Sequence, residues 1–278
     1  MNKILIKCFK ILFLKFPVLR PFFDYIYRTF FMYKIQFSGW GMKTAHELPW
    51  NDEYNEEIFR KASNDVKNNF EFGLDTTGIQ KYNIDTMMWR HWIISFATRY
   101  SMKFTKTNYY NFVECGVGEG FSSFFALREI SANKNIDGNY LMHFYDSWDA
   151  MRDKDLDVNE KSKIGSYSNL DINIIKKNLF EFKNNIVYHV GFIPESFKVE
   201  PKSPDSIVYL HIDLNSAKAT LETLHFFYPI LISGGIILFD DYGWMEYGET
   251  KKIIDEFFQD KPGLLQKLPT GQAIFYKK

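Results

Sequence analysis

The chain has 278 residues and two cysteines, Cys8 and Cys115, far apart in sequence. That excludes a disulfide framework and a cysteine-rich zinc site, and points to a reducing, cytoplasmic setting. Net charge is also missing, because 34 basic residues balance 34 acidic ones. A neutral chain has no general affinity for nucleic acid. The N-terminus lacks both the roughly 20 uninterrupted apolar residues of a spanning helix and the small-residue cleavage site of a signal peptide. There is no internal repeat and no low-complexity segment. What remains is apolar enough, at 46%, to build a substantial core and to exclude wholesale disorder. The length suits one domain of ordinary size with an extension.

The zero net charge hides an asymmetry. Residues 1–40 carry Lys3, Lys7, Lys10, Lys15, Arg20, Arg28 and Lys34 against one acid, Asp24. On a helical wheel Lys3, Lys7 and Lys10 share a stripe, with Ile4, Leu5, Ile11 and Leu12 elsewhere. Such a basic aromatic arm, residues 1–35, suits peripheral contact with an anionic membrane surface. It suits equally a helix packed on the body of the protein or on a second copy of the chain, with Pro17 and Pro21 ending the helix early. Both readings stay open.

Residues 36–109 read as a helical lid or cap region. It holds a Gly- and aromatic-rich loop, a polar helix over 52–69, and an apolar helix through MMWRHWIISFATRY. From 110 to 278 the pattern becomes strand, loop, helix, repeated. Strands are expected at 111–115, 140–146, 185–190, 206–213 and 235–241, with LLQKLP and GQAIFYKK as two more. Helices are expected at 121–131, 171–183, 216–228 and 249–258. The short apolar strands have little polar alternation, as when helices cover both faces. The fold expected is a doubly wound, mostly parallel α/β sheet preceded by a helical N-terminal region.

In such sheets ligands bind at the carboxyl ends of the strands. Those ends read Glu114, Asp146, Gly191, Asp213, and Asp240 with Asp241. The loop after the first strand is FVECGVGEGFSS. Its glycines, Gly116, Gly118 and Gly120, are spaced G-x-G-x-G, and Phe121 stands where a dinucleotide fingerprint needs its third glycine. Glu114 before them would repel a pyrophosphate but suits an ammonium group. Phe121, Ser122 and Ser123 begin a helix whose free N–H groups suit a carboxylate. Asp146, ending the second strand, suits two ribose hydroxyls. S-adenosylmethionine has all these parts and no phosphate.

Asp213, Asp240 and Asp241 are expected to converge beside the reactive end of that ligand. Unpaired carboxylates so placed raise one another's pKa. A hard divalent cation with oxygen ligands, Mg²⁺ above all, would relieve them and could acidify a substrate hydroxyl. The alternative is that Asp213 caps a helix and Asp241 fixes a turn.

VECGVGEG, YDSWD, HIDLNS with YPILISGGIILFDDYG, and LPTGQA together resemble the macrocin O-methyltransferase family, over about residues 112–278. The resemblance is looser over 36–111. It implies a class I S-adenosylmethionine-dependent fold with a seven-stranded sheet, and O-methylation of a sugar hydroxyl on a glycan or glycosylated metabolite. It also implies metal ligands at Asp213, Asp240 and Asp241, and cofactor contacts at the glycine loop and at Asp146, Ser147 and Trp148. Two positions depart from the family. Gly118-Glu119 stands where Trp-Arg is common, and Asn215 stands where a second Asp is proposed as general base. Asn cannot take a proton. Asp213 is then the first candidate, and His46 and His91, in the region expected to cover the site, are candidates for base or substrate contact. Trp40, Trp50, Trp89 and Trp92 suit either sugar stacking or packing of the cap.

Two rivals remain. An NAD-dependent sugar oxidoreductase or epimerase would use a Tyr-x-x-x-Lys pair, and Tyr247 and Lys251 have that spacing. A catalytically inactive, membrane-tethered binding protein would need no base at all.

Overall fold

The structure is a computed structural model, and it describes residues 47–73, 81–136 and 138–278. The chain forms two compact units, Met1–Asp52 and Glu53–Lys278. In the first, the described part is a 3₁₀ turn, Pro49–Asn51. The basic arm, His46 and Trp40 lie outside the described residues.

The second unit is built on one seven-stranded sheet. Its strands are β1 (Tyr110–Cys115), β2 (Tyr140–Asp146), β3 (Ile186–Val190), β4 (Ile207–Ile212), β5 (Leu231–Phe239), β6 (Gly263–Lys267) and β7 (Ala273–Lys277). The order across the sheet is β3-β2-β1-β4-β5-β7-β6. The first five strands pair in parallel, and β7 runs antiparallel to both of its neighbours. Order reverses between β1 and β4, so the carboxyl ends of those two strands open a crevice. β4 is buried at every residue, as its near-continuous apolar run requires.

Among the described residues six α-helices accompany the sheet: α1 (Glu57–Asn69), α2 (Met88–Phe104), α3 (Phe121–Ser131), α4 (Ile172–Asn178), α5 (Ala217–Phe227) and α6 (Gly248–Phe257). Residues 53–73 and 81–109, within the region read as a helical lid or cap, fall in the same compact unit as the sheet. The reason is apolar contact: Phe59 of α1 and His91 of α2 lie against Phe125 of α3, with ring centroids 5.2 and 4.5 Å apart. The remaining core runs from Val113 and Leu210 through Ile237 to Phe227, Leu224 and Ile254 on the other helices.

Two boundaries differ from the sequence pattern. β5 begins at Leu231, not at Gly235, and the paired glycines form an irregularity where its register against β4 shifts. The helix expected over 171–183 stops at Asn178 and gives way to a 3₁₀ segment, Phe180–Asn185.

Candidate functional site: a cavity at the carboxyl edge

A cavity of about 530 Å³ lies over the carboxyl ends of the strands. Of the predicted cofactor residues, Gly116, Gly118, Phe121, Ser122, Asp146, Ser147 and Gly191 line it. Asp213, Asp240 and Asp241 line its other part.

The glycine loop is built around Asp146. Its Oδ2 accepts the N–H groups of Val117 at 2.7 Å and Gly118 at 2.9 Å, and its Oδ1 accepts that of Trp148 at 2.8 Å. Burial raises the Asp146 pKa, and these three N–H groups oppose the rise. Trp148 does not line the cavity as expected; its indole Nε1 donates to the carbonyl of Gly118 at 2.8 Å and ties the loop down from behind. Gly118 has φ +56° and open space where a side chain would project. That opening faces the cavity. Gly120 serves another end. A Cβ there would lie 2.8 Å from Ile175, so its smallness lets α4 pack.

Glu114 is also displaced from its expected role. It is 1% exposed, and its carboxylate accepts Ser123 Oγ at 2.5 Å and faces His211 Nδ1 at 3.1 Å. It supports the loop from inside the sheet and does not reach the cavity wall.

The three aspartates do converge. Each offers an oxygen within 4.8 Å of the others. They are not bare. Arg90, from α2, donates its Nε to both oxygens of Asp240 at 2.8 Å and its Nη2 to Asp213 Oδ2 at 2.5 Å. Gln272 donates to Asp240 Oδ1 at 2.9 Å, and the Asn215 N–H to Asp241 Oδ2 at 3.2 Å. Burial opposes charge on Arg90, but Asp240 and Asp213 outweigh it and hold the guanidinium above its usual range. Burial likewise opposes charge on Asp240, yet Arg90 and His211 keep its carboxyl below the usual range. Burial and then the Asp240 charge push Asp213 up to about 6. Asp241 is raised well above its ordinary value by burial and by both other aspartates. His211 is pushed up to about 10, because Asp240 and Glu114 outweigh its burial.

The histidine candidates fare differently. His91 is fully buried on α2, stacked on Phe125, and absent from the cavity wall. Burial and the neighbouring Arg90 lower its pKa to about 3. It is a core residue, not a base. Its neighbour Arg90 is the one that reaches the cavity. Met87 and Arg90, three apart, both line the cavity, whereas His91 shares its helix face with Ile94 and Thr98.

Asn215 lines the cavity at φ +54°. The Tyr247 hydroxyl donates to its side-chain oxygen, and Lys163 Nζ donates to its backbone carbonyl at 3.0 Å. Lys251 instead pairs with Asp255 at 2.5 Å. Tyr247 and Lys251 therefore do not form a catalytic pair. Trp89 and Trp92 lie edge to face on α2 and do not line the cavity; among the described residues the tryptophan that does is Trp244, 53% exposed.

Residues 113–242 match the family model described as a methyltransferase domain. The fold agrees with that match. The O-methyltransferase NovP aligns with a TM-score of 0.58 and 18% identity, over 69% of this chain and 80% of that one. CalS11, a calicheamicin methyltransferase, aligns with a TM-score of 0.55 and 14% identity, over 86% of this chain and 98% of that one. Its apo structure, described as that of a TDP-rhamnose 3'-O-methyltransferase, aligns at 0.50 with 14% identity, over 83% and 96% of the two chains. No curated protein matches the sequence. The chain has the Rossmann-like methyltransferase fold, and residues 113–242 of it are similar to a methyltransferase domain.

Proposed function

We propose that the protein is an S-adenosylmethionine-dependent O-methyltransferase of the macrocin type, acting on a sugar hydroxyl of a glycan or glycosylated metabolite. The observation that carries this reading is the continuity of one cavity from the open face of Gly118 and Asp146 to the three aspartates. The first end fits the cofactor. Gly118 leaves room for it, and the Asp146 oxygens keep lone pairs beyond those given to the loop N–H groups. The second end fits a hard divalent cation, since the donors are all carboxylate oxygens within reach of one centre. Asp213, Asp240 and Asp241 would hold Mg²⁺.

When bound, the cofactor supplies an electrophilic methyl on a sulfonium, and the cation lowers the pKa of an acceptor hydroxyl. The chain's own residues align the acceptor and accept its proton. Asn215 cannot accept it, and the Tyr247 phenol is pushed further from ionisation, by burial first and then by Asp241. Asp213, a carboxylate in the cluster on the cavity wall, is the residue left for that role. Alignment of oxygen, methyl and sulfur supplies the rest of the acceleration.

The wall also narrows the acceptor. Its basic residues among those described are Arg90 and Arg152. Arg90 is taken by two aspartates, and Arg152 by Asp155 and by Glu195 at 3.1 Å. Asp149 and Glu246 add further negative charge. A neutral or amino-bearing sugar fits this field better than a phosphorylated one.

Calorimetry with S-adenosylmethionine, followed by methyl transfer to a panel of neutral, amino and nucleotide sugars with and without chelator, tests the reading. Cofactor binding with chelator-sensitive transfer to a neutral or amino sugar is expected. Nicotinamide cofactor binding would favour an oxidoreductase, and cofactor binding without transfer to any acceptor an inactive binding protein.

A further inference from the structure

Among the described residues, Arg90 is the charged group at the carboxyl edge that comes from outside the sheet and its crossover loops. It projects from the first turn of α2 into the aspartate cluster, and its side chain is 16% exposed. Its contacts are specific. The Nε faces both oxygens of Asp240 at 2.8 Å, and Nη2 meets Asp213 Oδ2 at 2.5 Å. A planar guanidinium spanning two carboxylates is a geometry that a lysine could not reproduce.

Those contacted oxygens belong to two of the three carboxylates that a divalent cation would need. Asp240 Oδ1 already accepts Gln272 Nε2 at 2.9 Å as well as Arg90. Asp240 Oδ2 accepts Arg90 alone among the described side chains, and so does Asp213 Oδ2. A metal at about 2.1 Å from an oxygen cannot share the same lone-pair direction with an N–H donor. Two cations a few ångströms apart also repel strongly in a buried setting. Arg90 and a divalent cation are therefore competitors for one place.

We propose that Arg90 is the resident counter-cation of the Asp213–Asp240–Asp241 cluster, and that a divalent cation enters only by displacing the guanidinium from Asp213 and Asp240. This rests on the reading of the three aspartates as a divalent-cation site. Arg90 then has two effects of opposite sign. It stabilises the cation-free protein by neutralising buried carboxylates, and it weakens the apparent affinity for metal by holding the ligands.

The test is Mn²⁺ binding to the full chain by calorimetry and electron paramagnetic resonance, without cofactor or acceptor. Arg90→Met should bind Mn²⁺ at least about tenfold more tightly than the wild type, because its ligands are released. Arg90→Lys should stay nearer the wild type. In melting experiments Arg90→Met should unfold at a lower temperature than the wild type without metal, and gain more from saturating Mn²⁺. Adding Asp241→Asn to Arg90→Met should remove the gain in affinity; a gain that survived would place the metal elsewhere and overturn the proposal. Should Arg90→Met fail to fold, Arg90→Gln, which keeps a donor and loses the charge, carries the same comparison. Equal or weaker Mn²⁺ binding by a folded variant would overturn the displacement while leaving the cation site standing. Absence of Mn²⁺ binding by both wild type and variants would overturn the cation site itself, and the displacement with it.

Discussion

A Cβ added at Gly118 would meet no atom within 4 Å, since the space before it is the cavity. Gly118→Val therefore projects a branched side chain into the place proposed for the cofactor. The positive φ adds roughly 1–2 kcal/mol of strain for any residue with a Cβ. We expect the variant to stay folded by circular dichroism and to lose S-adenosylmethionine binding in calorimetry; unchanged affinity would remove the cradle assignment. At Asp240 the expectation changes sign once Arg90 is known. Three unpaired acids repel, so sequence alone suggests that Asp240→Asn relieves the cation-free protein. With Arg90 and His211 against Asp240, the same change strips partners from buried charges and should cost about 3–5 kcal/mol in denaturant unfolding. Mg²⁺ should raise the melting temperature of the wild type and do so far less for Asp240→Asn. The acids were legible because they end strands. Arg90 was not, because its partners Asp213 and Asp240 lie more than a hundred residues away, and the adjacent His91 has the more suggestive chemistry. Helical phase was the available signal.

Among the elements, the strands were read well because buried parallel strands are short apolar runs bounded by turn residues. The misread places are those where tertiary contact overrides local pattern. Gly235 looked like the first residue of a strand, and with Gly234 it is an irregularity inside one. Asn178 looked like helix interior, yet its side chain exchanges hydrogen bonds with the backbone of Glu71 and donates to the carbonyl of Glu119, and the helix ends there. The packing of α3 carries a titratable cost. Glu129 is 3% exposed, and burial pushes its pKa up to about 7, against the pull of Arg99. A folded-state pKa raised above the unfolded value means that the native state takes up the proton first. The penalty is present in full above pH 7, shrinks as pH falls towards the unfolded value, and is absent below it. Glu129→Gln should therefore stabilise the protein at pH 8, by on the order of 2 kcal/mol, and change little at pH 4.5. Melting curves at the two pH values check this, and equal effects at both would place the cause in packing.

For the whole molecule, charge asymmetry makes the arm testable apart from the domain. No helix among the described residues is long and apolar enough to cross a membrane. If residues 1–35 lie on a membrane surface, the protein should pellet with vesicles containing anionic lipid and be released by salt, at roughly 1 kcal/mol per basic residue near the surface. If they bind a second copy of the chain, truncation should leave vesicle binding absent and change the sedimentation behaviour. The arm, with its mixed aromatic and basic residues, was the part that sequence left most open. It supports two amphipathic readings that differ only in what lies against the apolar side.

At Gly116 a Cβ would lie 1.8 Å from the backbone oxygen of Asp213, and the Asp213 N–H donates to the Cys115 carbonyl at 2.9 Å. The loop proposed to cradle the cofactor and the loop that opens the aspartate cluster are thus in backbone contact, with no side chain between them to absorb a shift. Whatever displacement one ligand imposes on its loop is felt by the other. Linkage then demands reciprocity: if a divalent cation alters the affinity for S-adenosylmethionine by some factor, the cofactor must alter the affinity for the cation by that same factor. The four binding constants of that thermodynamic square form a closed cycle, and a bulkier residue at 116 would change the coupling factor as well as the individual affinities.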